Sequence, residues 1–245
     1  MISPLARSDL TPTGKLRFGI NYGNPVLATR DPATGDLRGL AVDLARELGR
    51  RVDVPVAVVA YDTIAKLVEG LKVAAWDVAF LAIDPERVGE ISFTAAVIEV
   101  EGTCLVPPGS PLHTVADVDR EGVRVSVPAN SALELFLSRS LKSAELVRTR
   151  GPEEAFKMLI EGRVESYAGL RQTLVRNAEK FPGSRVLDGR LMAIEQALGI
   201  PKGRDTGAKY LCEFIEDVKA SGLLAQVIEK AGIRGVSVAP TAPIQ

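Results

Sequence analysis

The group in this sequence best suited to bind an anion is Arg87, which closely follows the apolar run Val78–Ile83. A short, nearly continuous apolar run is the pattern of a parallel strand covered on both faces. Asp84-Pro85-Glu86 then reads as a helix start, with Asp84 as N-cap, Pro85 at the first helical position and Glu86 in the first turn. A helix start attracts negative charge, and a guanidinium adds a forked donor, so the strand, turn and arginine together make an anion receptor. A cation in that turn opposes the helix dipole at a cost of up to about 1 kcal/mol, which a bound negative group would offset. The competing reading is a surface ion pair of Arg87 with Glu86 or Glu90.

Other chemistries find less support. Cys104 and Cys212 are the only cysteines and lie in segments read as a strand and a helix, which suits buried apolar packing. His113 is the single histidine, so neither a histidine-based triad nor a histidine metal site is expected, and no cofactor is assigned. Thirty basic and 31 acidic residues give a net charge of −1. Without a basic run carrying interleaved aromatics, nucleic-acid binding is not expected. No apolar stretch approaches the roughly 20 residues that span a bilayer, so no membrane insertion is expected. The opening MISPLARSDLTPTGKL lacks the apolar core of a secretory signal, which leaves a cytoplasmic placement open beside a secreted one.

The elements that must position Arg87 follow from periodicity. Residues 1–14 read as a loose arm. Leu16–Ile20 reads as a strand broken by Asn21-Tyr22-Gly23-Asn24-Pro25, and 31–36 as a hairpin tip. Leu40, Val42, Leu44, Ala45 and Leu48 mark an amphipathic helix ending at Gly49. Strand Val54–Ala60, a helix from Asp62 or Thr63 to Leu71, and Val78–Ile83 complete a βαβαβ unit. Trp76 precedes its strand and is assigned to packing. Ile98–Val106 is a long extended run. A second βαβαβ unit follows: strand Val123–Val127, helix Ser131–Leu141, strand Leu146–Thr149, helix Pro152–Glu161, strand Glu165–Gly169, then a helix to Lys180. Leu191–Ile200 returns as an extended segment, and helices Asp205–Ala220 and Leu223–Ala231 close the chain. The fold class is therefore α/β, a two-lobed clamshell of two βαβαβ units joined by two extended hinge segments. Lobe 1 is 1–105 plus 193–245 and lobe 2 is 106–192, with ligand bound beyond the carboxyl ends of the strands.

In order along the chain, LRFGI, GDLRGLAVDLARELGRRV, AAWDVAFLAIDPERVGEISFT, VRVSVPANSALELF, LGIPKGRD and KASGLLAQVIEKAG resemble the type II periplasmic solute-binding proteins. The likeness is to the amino-acid-binding branch (extracellular solute-binding family 3) of ABC-transporter receptors. It covers residues 15–232 and implies a periplasmic, monomeric receptor that closes over its ligand by hinge bending. Arg87 stands where that family's carboxylate-binding arginine stands. Leu81 and Ala82 close the strand before it, with Ala82 where the family usually has serine or threonine. Asn24 falls near the family's ligand-covering aromatic, with Tyr22 close by, and Asn21 and Asn24 are either ligand contacts or turn residues. Asn130 and Ser131 match the lobe-two helix start whose N–H groups hold the carboxylate, although Ser131 with Glu134 is also a capping box.

The family's ammonium-pairing aspartate would fall at Leu170 or Arg171, and neither is acidic. If Arg171 also faces the ligand, two arginines favour a dianion or a carboxylate without an amine; Glu99 or Glu101 is the alternative ammonium partner. The expected function is a receptor for a small anionic, carboxylate-bearing metabolite, amino-acid-like or an organic acid, presented to an ABC permease. A dehydratase-type enzyme of the arogenate or prephenate kind on the same fold is the first alternative, with Glu99, Glu101 and Glu165 as acid–base candidates. A cytosolic ligand sensor is the second. A transcription-regulator effector domain is disfavoured, since no DNA-binding module is recognised.

Overall fold

The computed structural model describes residues 2–230 and 236–242. The fold is α/β in two compact units, Met1–Glu99 with Glu195–Gln245 and Val100–Ile194. The first residues are not a loose arm. They form helix α1 (Pro4–Leu10), capped by Ser3 Oγ accepting the Ala6 N–H at 3.1 Å, with Ala6 and Leu10 buried.

Strand β1 (Leu16–Asn21) follows, then the hairpin β2 (Thr29–Arg30) and β3 (Leu37–Arg38). Helix α2 (Leu40–Val52) runs past Gly49 and ends at Asp53, whose φ of 54° is left-handed. Gly49 lies inside the helix because Val56 packs onto it: a Cβ there would come within 2.2 Å of Val56 Cγ2. Glycine is kept here for close approach and not to stop the helix. Strand β4 (Val56–Tyr61), helix α3 (Ile64–Lys72, capped by Thr63), strand β5 (Val78–Ala82) and strand β6 (Ile91–Phe93) complete this stretch. Leu67, Trp76, Ala79, Leu81 and Ile91 form one core cluster, in which the Trp76 indole N–H donates to Leu67 O at 2.9 Å.

The second unit takes most of β7 (Ile98–Val106), then β8 (Arg124–Pro128), α4 (Ala132–Ser140), β9 (Glu145–Thr149), α5 (Pro152–Ile160), β10 (Ser166–Leu170), α6 (Arg171–Lys180) and β11 (Arg185–Val186). Its sheet order is β9-β8-β10-β7, parallel except for β7, which runs antiparallel to β10. Leu105, Ala155, Leu159, Val164, Tyr167 and Leu174 make its core.

Strand β12 (Met192–Pro201) returns the chain to the first unit, followed by α7 (Asp205–Ala220), α8 (Leu223–Lys230) and β13 (Val236–Val238). Ala231, expected to end α8, lies outside the described residues. The sheet of the first unit has the order β4-β1-β5-β12, with β4, β1 and β5 parallel and β12 antiparallel.

A buried carboxylate ties this unit together. Asp77, fully buried, accepts Arg17 Nη2 at 2.6 Å, Arg17 Nε at 2.9 Å, the Arg17 backbone N–H at 3.1 Å and Arg204 Nη1 at 3.2 Å. Arg204 also donates to Asp9 O at 3.1 Å, and Asp9 Oδ2 accepts the Gly207 N–H at 2.8 Å. These long-range bonds at the start of α7 are what order α1.

Helix α2 carries a second acidic hub. The hydrogen bond from Arg50, opposed by burial and reinforced by Arg51, holds the Glu47 carboxyl at about 2. A carboxyl lowered in the folded state stabilises above its ordinary value near about 4.3, and that contribution fades as pH falls toward about 2. Glu47→Gln is therefore expected to be less stable than the parent at neutral pH and to lose less stability between about pH 5 and pH 2, read by acid titration of circular dichroism. Parallel acid curves for the two proteins would refute this.

Candidate functional site

In the first unit, the register Ile20↔Phe80 aligns β1 with β5, so Asn21, which ends β1, and Ala82, which ends β5, lie at one carboxyl edge of neighbouring parallel strands. Asn21 Oδ1 accepts the Gly23 N–H at 3.0 Å, and the Asn24 N–H donates to Asn21 O at 3.2 Å. Asn24, buried, accepts the Val26 N–H on Oδ1 at 3.1 Å. Both asparagine oxygens thus build the turn that follows β1, as short polar side chains do when they bond their own backbone. Tyr22 donates its backbone N–H to Tyr61 O at 2.9 Å, and the Arg30 guanidinium lies 4.3 Å from its ring centroid. Arg30 is a cation at this edge that the sequence reading did not single out. Leu81 sends its side chain into the core, so only its backbone belongs to the edge.

Beyond β5 the expected helix does not form. Residues 85–90 are successive turns, with the Glu86 N–H on Asp84 Oδ1 at 2.9 Å and the Arg87 N–H on Asp84 O at 2.9 Å. The cause is long-range: β6 must start at Ile91 to pair with Pro201 of the same strand, β12, that pairs with β5. Eight intervening residues that return the chain to one strand leave no length for a helix. Asp84 acts as a turn former and not as an N-cap, and Arg87 faces no helix dipole.

Arg87 is also not a surface residue. It is 6% exposed, and its Nη1 donates to Ala82 O at 2.8 Å. Burial lowers its pKa against the raising influence of Asp84 and Glu86. A guanidinium stays charged even so. The result is a forked cation held under the end of β5 by the carbonyl of Ala82.

One neighbour escaped the sequence reading. Gln196 of β12 stands opposite Ala82 in the antiparallel ladder, is 5% exposed, and its Oε1 has no hydrogen-bond partner among the described residues. It is a polar residue within the run MAIEQALGIP, and that interruption is the signal that could have marked it.

In the second unit, Tyr167↔Ser126 brings the carboxyl ends of β10 and β8 to one edge. Asn130, left-handed at φ 57°, donates its N–H to Glu134 Oε2 at 3.2 Å, and Ser131 Oγ accepts the Glu134 N–H at 3.1 Å. The capping box is therefore displaced, the glutamate reaching one residue further upstream than the sequence pattern implies. Glu134, buried, also accepts Ser138 Oγ at 2.7 Å and Arg148 Nε at 2.8 Å.

Arg171 opens α6. Because Leu170 pairs with Gly102, its guanidinium meets Glu101: Nε donates to Oε2 at 2.6 Å, and Nη2 donates to Gly189 O at 2.5 Å. The two charges offset each other at this edge. Gly102 lets α4 close on β7, since a Cβ there would lie 2.6 Å from Leu133 Cδ2. Asn130, Ser131, Glu101 and Arg171 thus share one edge of this unit. Glu165 does not join them: it precedes β10 at the opposite end, where Arg124 bonds it through Nε at 3.0 Å and Nη2 at 2.7 Å and lowers its pKa.

Cys104 is buried, and burial pushes its thiol up to about 12; Cys212 is only half-buried. Among the described residues no group of His, Cys, Asp and Glu could hold a metal ion, and no helix is long and apolar enough to cross a membrane.

Residues 16–232 match the family model of bacterial extracellular solute-binding proteins, family 3. The chain is 26% identical to the histidine-binding periplasmic protein of Salmonella typhimurium, over 88% of this chain and 86% of that one. Among solved structures, it is similar to the solute receptor for L-cysteine of Neisseria gonorrhoeae, with TM-score 0.80, 22% identity, and 95% of each chain covered. It is also similar to the ancestral amino acid-binding protein AncCDT-1, described as a precursor of cyclohexadienyl dehydratase. There the TM-score is 0.76 and the identity 20%, over 91% of this chain and 97% of that one.

Proposed function

The chain belongs to the bacterial extracellular solute-binding proteins of family 3, and on that premise we propose that it is a receptor for a small, carboxylate-bearing, amino-acid-like metabolite that it presents to an ABC permease. The observation that carries this reading is Arg87, a forked cation withdrawn from water at the carboxyl edge of β5. A desolvated guanidinium gains most from a partner that is both anionic and planar, and a carboxylate offers both. Asn21, Tyr22 and Asn24 shape the same edge of the first unit, with Leu81 and Ala82 contributing backbone. Asn130 and Ser131 are the ligand-binding positions proposed for the second unit taken by itself, where Glu101 and Arg171 form a charge-balanced pair. The protein works outside the cytoplasm as a monomer and performs no turnover.

The dehydratase alternative needs a carboxyl group free to move a proton at the site. Of its three candidates, Glu165 is engaged with Arg124 at the far end of β10 and Glu101 is engaged with Arg171. Nothing in the geometry favours Glu99 over a half-exposed strand residue.

A thermal-shift screen of the twenty L-amino acids, dicarboxylates, 2-oxo acids and aromatic acids tests the reading. A ligand at 100 times its dissociation constant is expected to add about 2.7 kcal/mol of stability. No shift with any of these carboxylates would overturn it, and conversion of a hit would establish the enzyme instead.

A further inference from the structure

We propose that Gln196 is a specificity-determining ligand contact: its Oε1 accepts an N–H from the amino group of the same ligand whose carboxylate Arg87 holds. This rests on the carboxylate-binding reading of Arg87 and narrows it to α-amino acids.

The placement comes from the ladder. Gln196 lies directly opposite Ala82, so the two side chains share a sheet face with Cβ atoms about 4.5–5.5 Å apart. Ala82 O is also the acceptor of Arg87 Nη1, which puts the guanidinium and the glutamine amide at the same strand end. Ala82 is a methyl group with no hydroxyl to offer the amide. The flanking positions Phe80, Leu81, Ala197 and Leu198 are apolar and equally without side-chain donors. Nearby backbone donors are engaged elsewhere: the Val97 N–H on Gln196 O at 2.7 Å and the Ile83 N–H on Glu195 O at 2.9 Å.

Gln196 is 5% exposed with its Oε1 unsatisfied. A buried acceptor left without a donor is costly, and native structures keep few of them. An α-amino acid supplies the missing donor in the right place, because its ammonium and carboxylate share one carbon. With the carboxylate on Arg87, the ammonium falls within reach of a neighbouring acceptor. An amide oxygen there supplies an acceptor in a chain whose residues 170 and 171 are leucine and arginine.

The test uses the twenty L-amino acids beside their deaminated acids (propionate for alanine, 3-phenylpropionate for phenylalanine and so on), titrated calorimetrically into the parent protein, Gln196→Met and Gln196→Glu. At least one amino acid is expected to bind the parent about tenfold or more tighter than its deaminated acid, the size of a hydrogen bond to a charged group. Gln196→Met should shrink that gap below about threefold by weakening the amino acid alone, while Gln196→Glu should preserve or widen it. An unchanged gap in Gln196→Met, or deaminated acids binding the parent as tightly as amino acids, would overturn the proposal while leaving Arg87 as the carboxylate receptor. Failure of every carboxylate to bind the parent would instead bring down the Arg87 reading, and this one with it. The unliganded melting temperature of Gln196→Met should equal or exceed that of the parent; a drop of more than about 5 °C would show a structural role for the amide and overturn the proposal.

Discussion

Asp77→Ala is expected to destabilise the first unit more than any other single side-chain deletion in its polar framework. The carboxylate is fully buried and serves Arg17 through both oxygens, with Arg204 as a further donor. Removing it strands two partly buried guanidinium groups, and breaking such a pair from one side costs about 3–5 kcal/mol. For a chain of this length the melting temperature should fall by about 6–20 °C. The order of effects follows from the geometry. Arg17→Ala and Arg204→Ala each leave Asp77 with one cation, so both should cost less than Asp77→Ala. Because Arg204 also holds Asp9 O, its loss should in addition expose α1 to limited proteolysis. Equal destabilisation by all three variants, measured by calorimetry, would contradict this account of the cluster.

Arg87 is expected to behave in the opposite way. Asp77 is held by two guanidinium groups, whereas Arg87 donates to Ala82 O at a strand end where desolvation outweighs the influence of the neighbouring acids. Arg87→Met keeps most of the volume and removes the charge. Its unliganded stability should fall by no more than about 1–3 kcal/mol, the cost of leaving Ala82 O without its donor and less than the loss expected for Asp77→Ala. Affinity for a carboxylate ligand should fall about 100-fold or more, the usual range for truncating one side of a buried, hydrogen-bonded charge pair. Arg87→Lys keeps the charge without the planar fork and should fall between. A variant that melts much lower yet still binds would make Arg87 a structural residue.

Much of this was legible in the chain. The apolar runs at Val78 and Ile98 gave strands close to their observed limits, because continuous burial leaves a local trace. What failed depended on distant partners. Helix α1 is ordered by bonds to Arg204 and Gly207, nearly two hundred residues away, and nothing within residues 1–14 announces them. Asp84-Pro85-Glu86 has the local chemistry of a helix start, but the pairing of Ile91 with Pro201 takes the chain elsewhere. Gly49 looked like a stop and is a contact with Val56. Arg87 is singled out by its spacing from an apolar strand, and that spacing is the same whether helix or turn follows. Gln196 was missed because its importance lies in what it faces, Ala82 across the ladder, and pairing partners are not written in either strand. The Glu101–Arg171 pair had the same difficulty: each residue was noticed, but only the Leu170–Gly102 register joins them.

The central claim is that Arg87 recognises a carboxylate, and a two-by-two titration addresses it directly. The tightest carboxylate ligand and its alcohol analogue, with CH2OH in place of COO−, are each titrated into the parent protein and into Arg87→Met. The parent should prefer the acid by about 100-fold or more, and Arg87→Met should reduce that preference to less than about tenfold. An acid preference of the same size in both proteins would contradict the assignment.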